Sequence, residues 1–380
     1  MSNLNTPVQD CFVALELSRT KWLVGALLPG RTKVITTLVP GGNATKLIEV
    51  LRRLATQACR AAGGAVSLKV CYEAGYDGFW LARYLISRGI ETYVLDPASF
   101  LVSRRGRRAK TDRIDVEAMA LTLKAYLAGD RSVCRAVSIP SPEEEDAKRL
   151  SRERTQLAAE KTRHTNRIRG LLSLHGIREV KGLWGGDWAN ALCDLRTGDG
   201  RELGTYLRAE IAREFERLHL VLCHMKALDA DRHAALTQES SAFPERHKAD
   251  ALTRLAGIGQ ISATALAAEV FHRRFQSRKH LASYLGLAPT PYASGDSERD
   301  QGISKAGNQP ARTLLVELAW CWLRHQPDSS LAQWYRRRFG EHGKRARKVG
   351  IVALARKLAI ALWRFVETGL LPEGARLSPQ

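Results

Sequence analysis

The 380-residue chain lacks closely spaced cysteine pairs and long apolar stretches. Its seven cysteines are scattered, odd in number and never arranged as C-x-x-C. This pattern argues against a disulfide framework or a cysteine zinc site and indicates reduced thiols in a cytoplasmic protein. No run approaches ~18 uninterrupted apolar residues, and residues 1–10 carry no basic segment followed by an apolar one. We therefore expect neither secretion nor a membrane span.

Acidic residues are scarce relative to basic ones. Lys and Arg number 59 against 39 Asp and Glu, so the formal net charge is +20 and the pI is about 10.0. A surplus of this size favours polyanionic partners, because neutralising phosphates releases their counterions. The simpler interpretation is a protein that is basic for solubility. The length predicts two or three domains.

Residues 1–135 alternate strand and helix patterns. Three meandering strands precede helix, strand, helix, strand and helix, which is the order of an α/β RNase H-like (RuvC-like) domain. The actin-like fold begins similarly, but no Gly-rich phosphate loop stands beside the first strand. The predicted strands are Phe12–Leu17, Lys21–Leu28, Thr32–Leu38, Leu68–Tyr72 and Glu91–Leu95, and the predicted helices are Ala44–Ala62, Gly78–Ser87 and Arg113–Ala128.

Residues 136–247 are predicted to form a helical, coiled-coil insertion. A capping serine, a proline and two carboxylates start a helix at Ser141 that can continue to Leu174. A second helix is predicted at Thr205–Leu236, and an irregular segment at Gly176–Gly204 separates the two. The apolar seam of the second helix consists of Ile211, Phe215, Leu218, Leu222 and Met225. The seam needs a partner, either the same helix of another chain or the Ser141 helix.

Residues 248–380 are predicted to form a mainly α domain. Leu255–Gly259 followed by a helix at Ser262–Phe271 looks like half of a helix-hairpin-helix. Tyr284–Asn308 has loop composition, and helices are predicted at Ala311–Leu323 and Val349–Thr368.

Four carboxylates are candidates for metal binding. Glu16 lies inside an apolar strand and Glu73 ends another, while Asp112 and Asp115 lie three residues apart at a helix start. A carboxylate in an apolar strand is costly unless a positive group compensates it, and hard cations such as Mg²⁺ prefer oxygen ligands. Taken singly, Glu16 could be an edge-strand residue and the two aspartates could be ordinary helix N-terminal charges.

Three basic clusters are candidates for nucleic-acid binding through phosphate contacts. In the third, Trp334, Tyr335 and Phe339 are interleaved with the basic residues, so they either stack bases or form the edge of a core. The clusters are Arg104, Arg105, Arg107, Arg108 and Lys110; then Arg163 and Arg167, with Arg149 and Arg152 on the same predicted helix; then Arg336, Arg337, Lys344 and Arg345.

Several motifs together resemble the DEDD transposases of bacterial insertion sequences, the recombinases guided by a bridge RNA. The motifs are Glu73-Ala74, the Lys110–Ala118 segment, Leu255–Gly259, Gly286–Pro289, and Ser294-Gly295 followed by Arg299 and Ile303–Asn308. The resemblance covers nearly the whole chain and implies a RuvC-like domain, a coiled-coil insertion and a C-terminal transposase domain.

The resemblance also implies an activity and its residues. It places the four acidic positions on Glu16, Glu73, Asp112 and Asp115, with Glu16 departing from the Asp of the family, and the nucleophile on Ser294. It further implies two Mg²⁺ ions per site, replaceable by Mn²⁺, and partners in guide (bridge) RNA and donor and target double-stranded DNA. The resemblance further implies homodimers that assemble into tetramers. It also implies a cytoplasmic location in bacteria, in association with the nucleoid. By spacing, Arg299 and Lys305 could stabilise charge on the transferred phosphate.

Two other functions stay open at this point. A RuvC-like structure-specific endonuclease would use water as its nucleophile and leave Ser294 as a turn residue. A non-enzymatic protein could organise DNA through its basic surface, with structural carboxylates. Metal dependence and a covalent protein–DNA adduct distinguish the three.

Overall fold

A computed structural model describes residues 8–100, 111–179, 183–238, 243–294 and 297–378 of the protein. The chain divides into two compact units, Met1–Pro140 and Ser141–Gln380. The predicted helical insertion thus falls in the same unit as the C-terminal region. Among the described residues, no helix is both long and apolar enough to cross a membrane.

The first unit is built on a six-stranded mixed sheet in the order β3-β2-β1-β4-β5-β6. β1 is antiparallel to β2 and parallel to β4, and β5 is parallel to β4. This arrangement is compatible with an RNase H-like fold. The strands are β1 Gln9–Leu17, β2 Lys21–Leu27, β3 Ile35–Pro40, β4 Val66–Glu73, β5 Glu91–Leu95 and β6 Ala136–Val137, the last of which the sequence pattern did not predict.

Helices cover both faces of this sheet, because alternate residues of each strand point to opposite sides. Val13 and Val70 belong to the core formed with α1 (Ala44–Ala62) and α2 (Trp80–Ser87). Ala14 and Cys71 belong to the core formed with α3 (Asp112–Leu127). The strands carrying the candidate carboxylates are therefore held firmly from both sides.

The second unit begins with the predicted capping box. The Ser141 hydroxyl accepts a hydrogen bond from the Glu144 backbone N–H, and the Glu144 carboxylate accepts one from the Ser141 N–H. The predicted single helix is divided at Lys148 into α4 (Pro142–Ala147) and α5 (Arg149–Leu174). A short helix, α6 (Trp188–Cys193), lies in the segment predicted to be irregular.

The long helix α7 (Thr205–Thr237) packs along α5, so at least part of its seam has an intrachain partner. Ile211, Phe215 and Leu218 are buried as predicted. Within one chain Leu222 is 41 % exposed, whereas its neighbour Val221 is buried. The buried positions of α7 within one chain therefore depart from a strict coiled-coil repeat at this point.

In the described part of residues 243–378, six helices and one hairpin pack around the main apolar core of this unit. The prediction of a loop at Tyr284–Asn308 was wrong, because most of this segment forms two antiparallel strands. The elements are α8 (Arg246–Thr253), α9 (Gln260–Leu266) continuing into a π-helical turn (Ala267–Phe271), α10 (Arg278–Tyr284), β7 (Pro289–Ser294), β8 (Ser297–Ile303), α11 (Gln309–His325), α12 (Ser330–Phe339) and α13 (Lys344–Thr368).

Candidate functional site: carboxylates at a strand edge and a serine on a hairpin

Two candidate carboxylates end neighbouring parallel strands. Leu15 of β1 pairs with Tyr72 of β4, and Glu16 and Glu73 are the next residue of each strand. Adjacent strands run ~4.8 Å apart, so the two glutamates leave the sheet next to one another. Parallel strands in register also direct such a pair to the same face.

That face is the one covered by α3. Ala14 and Cys71, two residues before each glutamate, pack in one buried cluster with Val116 of α3. Side chains alternate along a strand, so Glu16 and Glu73 lie on the same side as Ala14 and Cys71. The strand pattern thus turns both carboxylates toward the helix that carries the aspartates.

The aspartates lie in the first turn of α3. The Thr111 hydroxyl caps this helix by accepting a hydrogen bond from the Ile114 backbone N–H at 3.3 Å. Asp112 and Asp115 follow, and negative charge is favoured there by the helix dipole. Three-residue spacing brings both onto one side of the helix.

The first turn of α3 meets the sheet at the same end as the glutamates. A Cβ added to Gly25 of β2 would lie 2.9 Å from Cγ2 of Val116, so the absent side chain lets α3 approach closely. One turn earlier on the helix, Asp112 reaches Lys21 at the start of β2, with Nζ 3.3 Å from Oδ2. The start of β2 lies beside the end of β1, since the two strands are antiparallel.

The four carboxylates differ in exposure. Glu73 and Asp112 are exposed, whereas Glu16 and Asp115 are partly buried. The Lys21–Asp112 ion pair is itself open to solvent, at 58 % and 53 % exposure, so it contributes little to stability. Its significance is positional, because it holds one candidate ligand at the edge of the sheet.

An all-carboxylate donor set is the kind that a hard divalent cation such as Mg²⁺ prefers. These residues fit such an ion in chemistry and in their common position at one end of the strands. Across the described part of the chain, however, no group of three or more His, Cys, Asp or Glu side chains is arranged to hold a metal ion.

The candidate nucleophile Ser294 is the last residue of β7, in the second unit. Its backbone pairs with Ser297 of β8, so Ser294 lies at the end of the β7–β8 ladder that is farthest from the hairpin base. At the other end, the Ser304 N–H donates to the Ala288 carbonyl at 2.9 Å, and the Lys305 N–H donates to the Gly286 carbonyl at 3.1 Å. The hairpin is therefore closed at its base by backbone hydrogen bonds.

The basic candidates have different surroundings. On α5, Arg163 is exposed, whereas Arg167 pairs with Glu210 of α7, its Nη2 2.5 Å from Oε1. Lys305 has a positive φ of 57°, which is unusual for a residue with a side chain. The cluster Arg104, Arg105, Arg107, Arg108 and Lys110, and the side chain of Arg299, lie outside the described residues.

The aromatic residues near the third cluster belong to the core. Tyr335 is buried, and Trp334 and Phe339 pack against the same cluster, so the structure favours the core-edge interpretation over base stacking. Arg336 donates to the Pro327 carbonyl at 3.0 Å. The remaining cations, Arg337, Lys344 and Arg345, are exposed.

Sequence reasoning missed three residues that organise these sites. Lys21 gave no signal, because a lysine at a strand start is ordinary. Glu269 is 4 % exposed and binds Arg152, which had been grouped with the phosphate-contacting residues of its helix. A lone carboxylate in the apolar run around Glu269 was the available signal. Asn308 was noticed only as part of a motif.

Known proteins resemble this chain along nearly its whole length. A family described as "Transposase IS116/IS110/IS902 family" matches residues 249–334, and a DEDD transposase family of IS110 elements matches residues 33–177. A Sinorhizobium fredii protein named "Putative transposase y4rJ" is 44 % identical over 373 residues, covering 96 % of this chain and 93 % of its own. The transposase of insertion sequence element IS1111A from Coxiella burnetii is 28 % identical, covering 79 % and 77 %.

The mixed sheet, its acidic edge and these matches together define a transposase, an enzyme of DNA recombination. The chain belongs to the IS110/IS116 family of DEDD transposases. Its reaction is accordingly the cleavage and rejoining of DNA during movement of an insertion sequence.

Proposed function

We propose that this transposase is RNA-guided and cleaves and rejoins DNA through a phosphoserine intermediate, with a carboxylate-bound divalent metal. The observation that carries the proposal is the gathering of Glu16, Glu73 and the α3 aspartates at one end of the sheet. The motif around Ser294 supplies the second half of the chemistry.

The carboxylates would hold the metal. Glu16, Glu73, Asp112 and Asp115 are the proposed ligands of two Mg²⁺ ions, for which Mn²⁺ can substitute. When bound, such ions stabilise charge on the attacking and leaving oxygens of a phosphodiester. The chain's own contribution is orientation: paired strands fix the glutamates, and the Thr111 cap fixes the first turn of α3.

Ser294 is the proposed nucleophile. Its Oγ forms a bond to phosphorus, loses its proton, and displaces one deoxyribose oxygen, which leaves with a proton as a free hydroxyl. A hydroxyl of another strand then attacks the phosphoserine ester, and Oγ departs and regains a proton. Because the phosphoester energy is kept in the protein–DNA bond, rejoining needs no ATP.

Basic residues would bind the nucleic acids, donor and target DNA together with the guide RNA. Arg299 and Lys305, on and after β8, are the proposed stabilisers of charge on the transferred phosphate. Arg104, Arg105, Arg107, Arg108, Lys110, Arg163, Arg167, Arg336, Arg337, Lys344 and Arg345 are the proposed backbone contacts. Arg167 and Arg336 are weaker candidates than the exposed Arg163, since each already has a partner.

Carboxylate variants test the metal half of the proposal. Glu73→Gln and Asp115→Asn should abolish strand cleavage while leaving RNA and DNA affinity nearly unchanged, because each removes a ligand charge and no phosphate contact. Glu117→Gln is the matched control, since Glu117 lies on the same helix and pairs with Arg113. Near wild-type cleavage in either ligand variant would remove these residues from the metal site.

Mixed assemblies test how the site is completed. The carboxylates belong to the first compact unit and Ser294 to the second, and we propose dimers assembling to tetramers in which one subunit's carboxylates act with another's serine. Glu73→Gln and Ser294→Ala chains, each inactive alone, should then regain activity when co-assembled. Absence of complementation in demonstrated mixed oligomers would mean that each subunit builds a complete site.

RNA guidance has its own test. The protein purified from its host should carry an RNA encoded beside its gene, identified by sequencing the co-purified nucleic acid. Activity in RNA-free protein on DNA alone, with no RNA recovered, would favour the endonuclease alternative and exclude a guide.

A further inference from the structure

A buried carboxylate lies at the π-helical turn that ends α9. Glu269 is 4 % exposed, and Arg152 of α5 binds it with two hydrogen bonds, Nε to Oε1 at 2.6 Å and Nη2 to Oε2 at 3.1 Å. Such a bidentate pair offsets much of the cost of burying the charge. Isolated π-turns occur frequently at functional sites.

The backbone of this turn is held by two side chains from elsewhere. The Tyr284 hydroxyl donates to the Glu269 carbonyl at 2.7 Å, and the Asn308 amide donates to that carbonyl and to Oε2, both at 3.3 Å. Asn308 Nδ2 also lies 3.0 Å from the Tyr284 hydroxyl oxygen. Backbone carbonyls in the last turn of a helix have no N–H partner within the helix. The Tyr284 and Asn308 side chains therefore supply the hydrogen bonds that the Glu269 carbonyl would otherwise lack.

The same asparagine closes the base of the serine hairpin. Its backbone N–H donates to the Tyr284 carbonyl at 2.8 Å. Three residues earlier, the Lys305 N–H donates to the Gly286 carbonyl, so both bonds join the same two segments. Gly286 and Gly307 both have positive φ, and an added Cβ would come within 2.2 Å and 2.3 Å of carbonyl oxygens of the facing segment. The two segments at the hairpin base are therefore in backbone contact.

We infer that Asn308 and Glu269 are positioning residues for Ser294, acting by fixing the base of the hairpin to α5 and the π-turn; this inference rests on the proposed function. Ser294 lies five residues beyond Pro289, ~17 Å along an extended strand. A tilt of about 5° at the base moves the tip by about 1.5 Å over that length. Misplacement by about 1 Å can slow a reaction about 100-fold.

Asn308 also caps α11, accepting from the Ala311 N–H at 3.0 Å, so the test must separate capping from positioning. Asn308→Ser keeps a capping oxygen and removes the amide donor, since serine caps helices about as well as asparagine. Asn43→Ser is the matched control, because Asn43 caps α1 in the same way through Lys46. Tyr284→Phe is the second test variant, because it removes the other donor to the Glu269 carbonyl and leaves the cap of α11 in place.

Strand joining and hydrogen exchange are measured for each variant with guide RNA and DNA. We expect Asn308→Ser to slow joining about 100-fold with unchanged DNA affinity. Amide exchange should increase in residues 286–307, while α11 stays protected. Asn43→Ser should behave as wild type. Tyr284→Phe should change joining and exchange in the same direction as Asn308→Ser, because it removes a second bond between the π-turn and the hairpin base.

Two results would overturn the inference: wild-type joining and exchange in a folded Asn308→Ser variant, or wild-type joining and exchange in Tyr284→Phe. If Asn308→Ser unfolds, the Tyr284→Phe variant decides alone. If the proposed function is wrong, strand joining will survive in Ser294→Ala. In that case the hydrogen-exchange measurement still tests whether Asn308 anchors the hairpin.

Discussion

Glu16 of β1 and Glu73 of β4 each come one residue after the last pair of the two parallel strands, Leu15 and Tyr72, and lie on the sheet face that α3 covers. In the family pattern the first of these positions is Asp, so the side chain of Glu16 is longer by one methylene, ~1.5 Å. Glu16 and Glu73 start from neighbouring backbone positions. The metal-binding arrangement must therefore accommodate the extra length of the Glu16 side chain.

The first prediction follows from this pairing. Glu16→Asp should retain or increase strand cleavage, because it keeps the ligand charge, whereas Glu16→Gln should lose cleavage. Rates at saturating Mg²⁺ check both. Loss of activity in the aspartate variant together with full activity in the glutamine variant would show that Glu16 is no ligand.

The second prediction concerns Lys21, which binds the candidate ligand Asp112. Lys21→Gln should lower the Mg²⁺ concentration for half-maximal cleavage by about 2- to 5-fold, the range expected for an exposed ion pair worth up to about 1 kcal/mol. Lys46→Gln is the control, because Lys46 forms a similarly exposed pair with Glu49 on α1. A raised Mg²⁺ requirement would instead give Lys21 a role in substrate binding.

The third prediction separates two leucines of α7. Leu218 is 6 % exposed and packs in the core between α5 and α7, whereas Leu222 is 41 % exposed. Leu218→Ala should lower the free energy of unfolding by about 2–4 kcal/mol, and Leu222→Ala should change it by no more than about 0.5 kcal/mol. Urea titrations compare them. Equal and large losses would mean that Leu222 is covered in an oligomer, which light scattering would show.

The fourth prediction concerns thiol reactivity. Burial raises the pKa of Cys11 to about 12, and it also raises the pKa of Cys71 and Cys134, so these thiols stay protonated at pH 8. In native protein at pH 8, alkylation mapped by mass spectrometry should reach the exposed thiols first and the buried ones only after unfolding. The exposed thiols are Cys193, Cys223 and Cys321. Rapid native labelling of Cys71 would contradict the packing of β4.

The sequence predicted the first unit well, because its strands and helices carry strong local patterns. The bounds of α1 at Ala44–Ala62 and of β5 at Glu91–Leu95 match the prediction. The β7–β8 hairpin was missed, because its Gly, Pro and Ser content is typical of loops and its ladder is formed by backbone atoms. Pairings between distant segments, such as Arg152 with Glu269, leave no trace in local periodicity.

The candidate site was only partly accessible from sequence. Strand order placed Glu16 and Glu73 together, since a parallel register can be extended residue by residue. The Lys21–Asp112 contact depends on how closely α3 approaches β2, which the absent side chain of Gly25 decides. The network around Asn308 combines a helix cap, a π-turn and a hairpin base, three features that a single-residue pattern does not distinguish.

The most direct test of the proposed phosphoserine mechanism is the identity of the residue joined to DNA. The protein, its guide RNA and target DNA are incubated with Mg²⁺, quenched in denaturant, digested, and examined by mass spectrometry for a nucleotide attached to a peptide. A phosphodiester adduct on Ser294 is expected, and it should disappear in Ser294→Ala. An adduct mapped to Ser297 or Ser304, or cleavage with water as the nucleophile and no adduct, would contradict it.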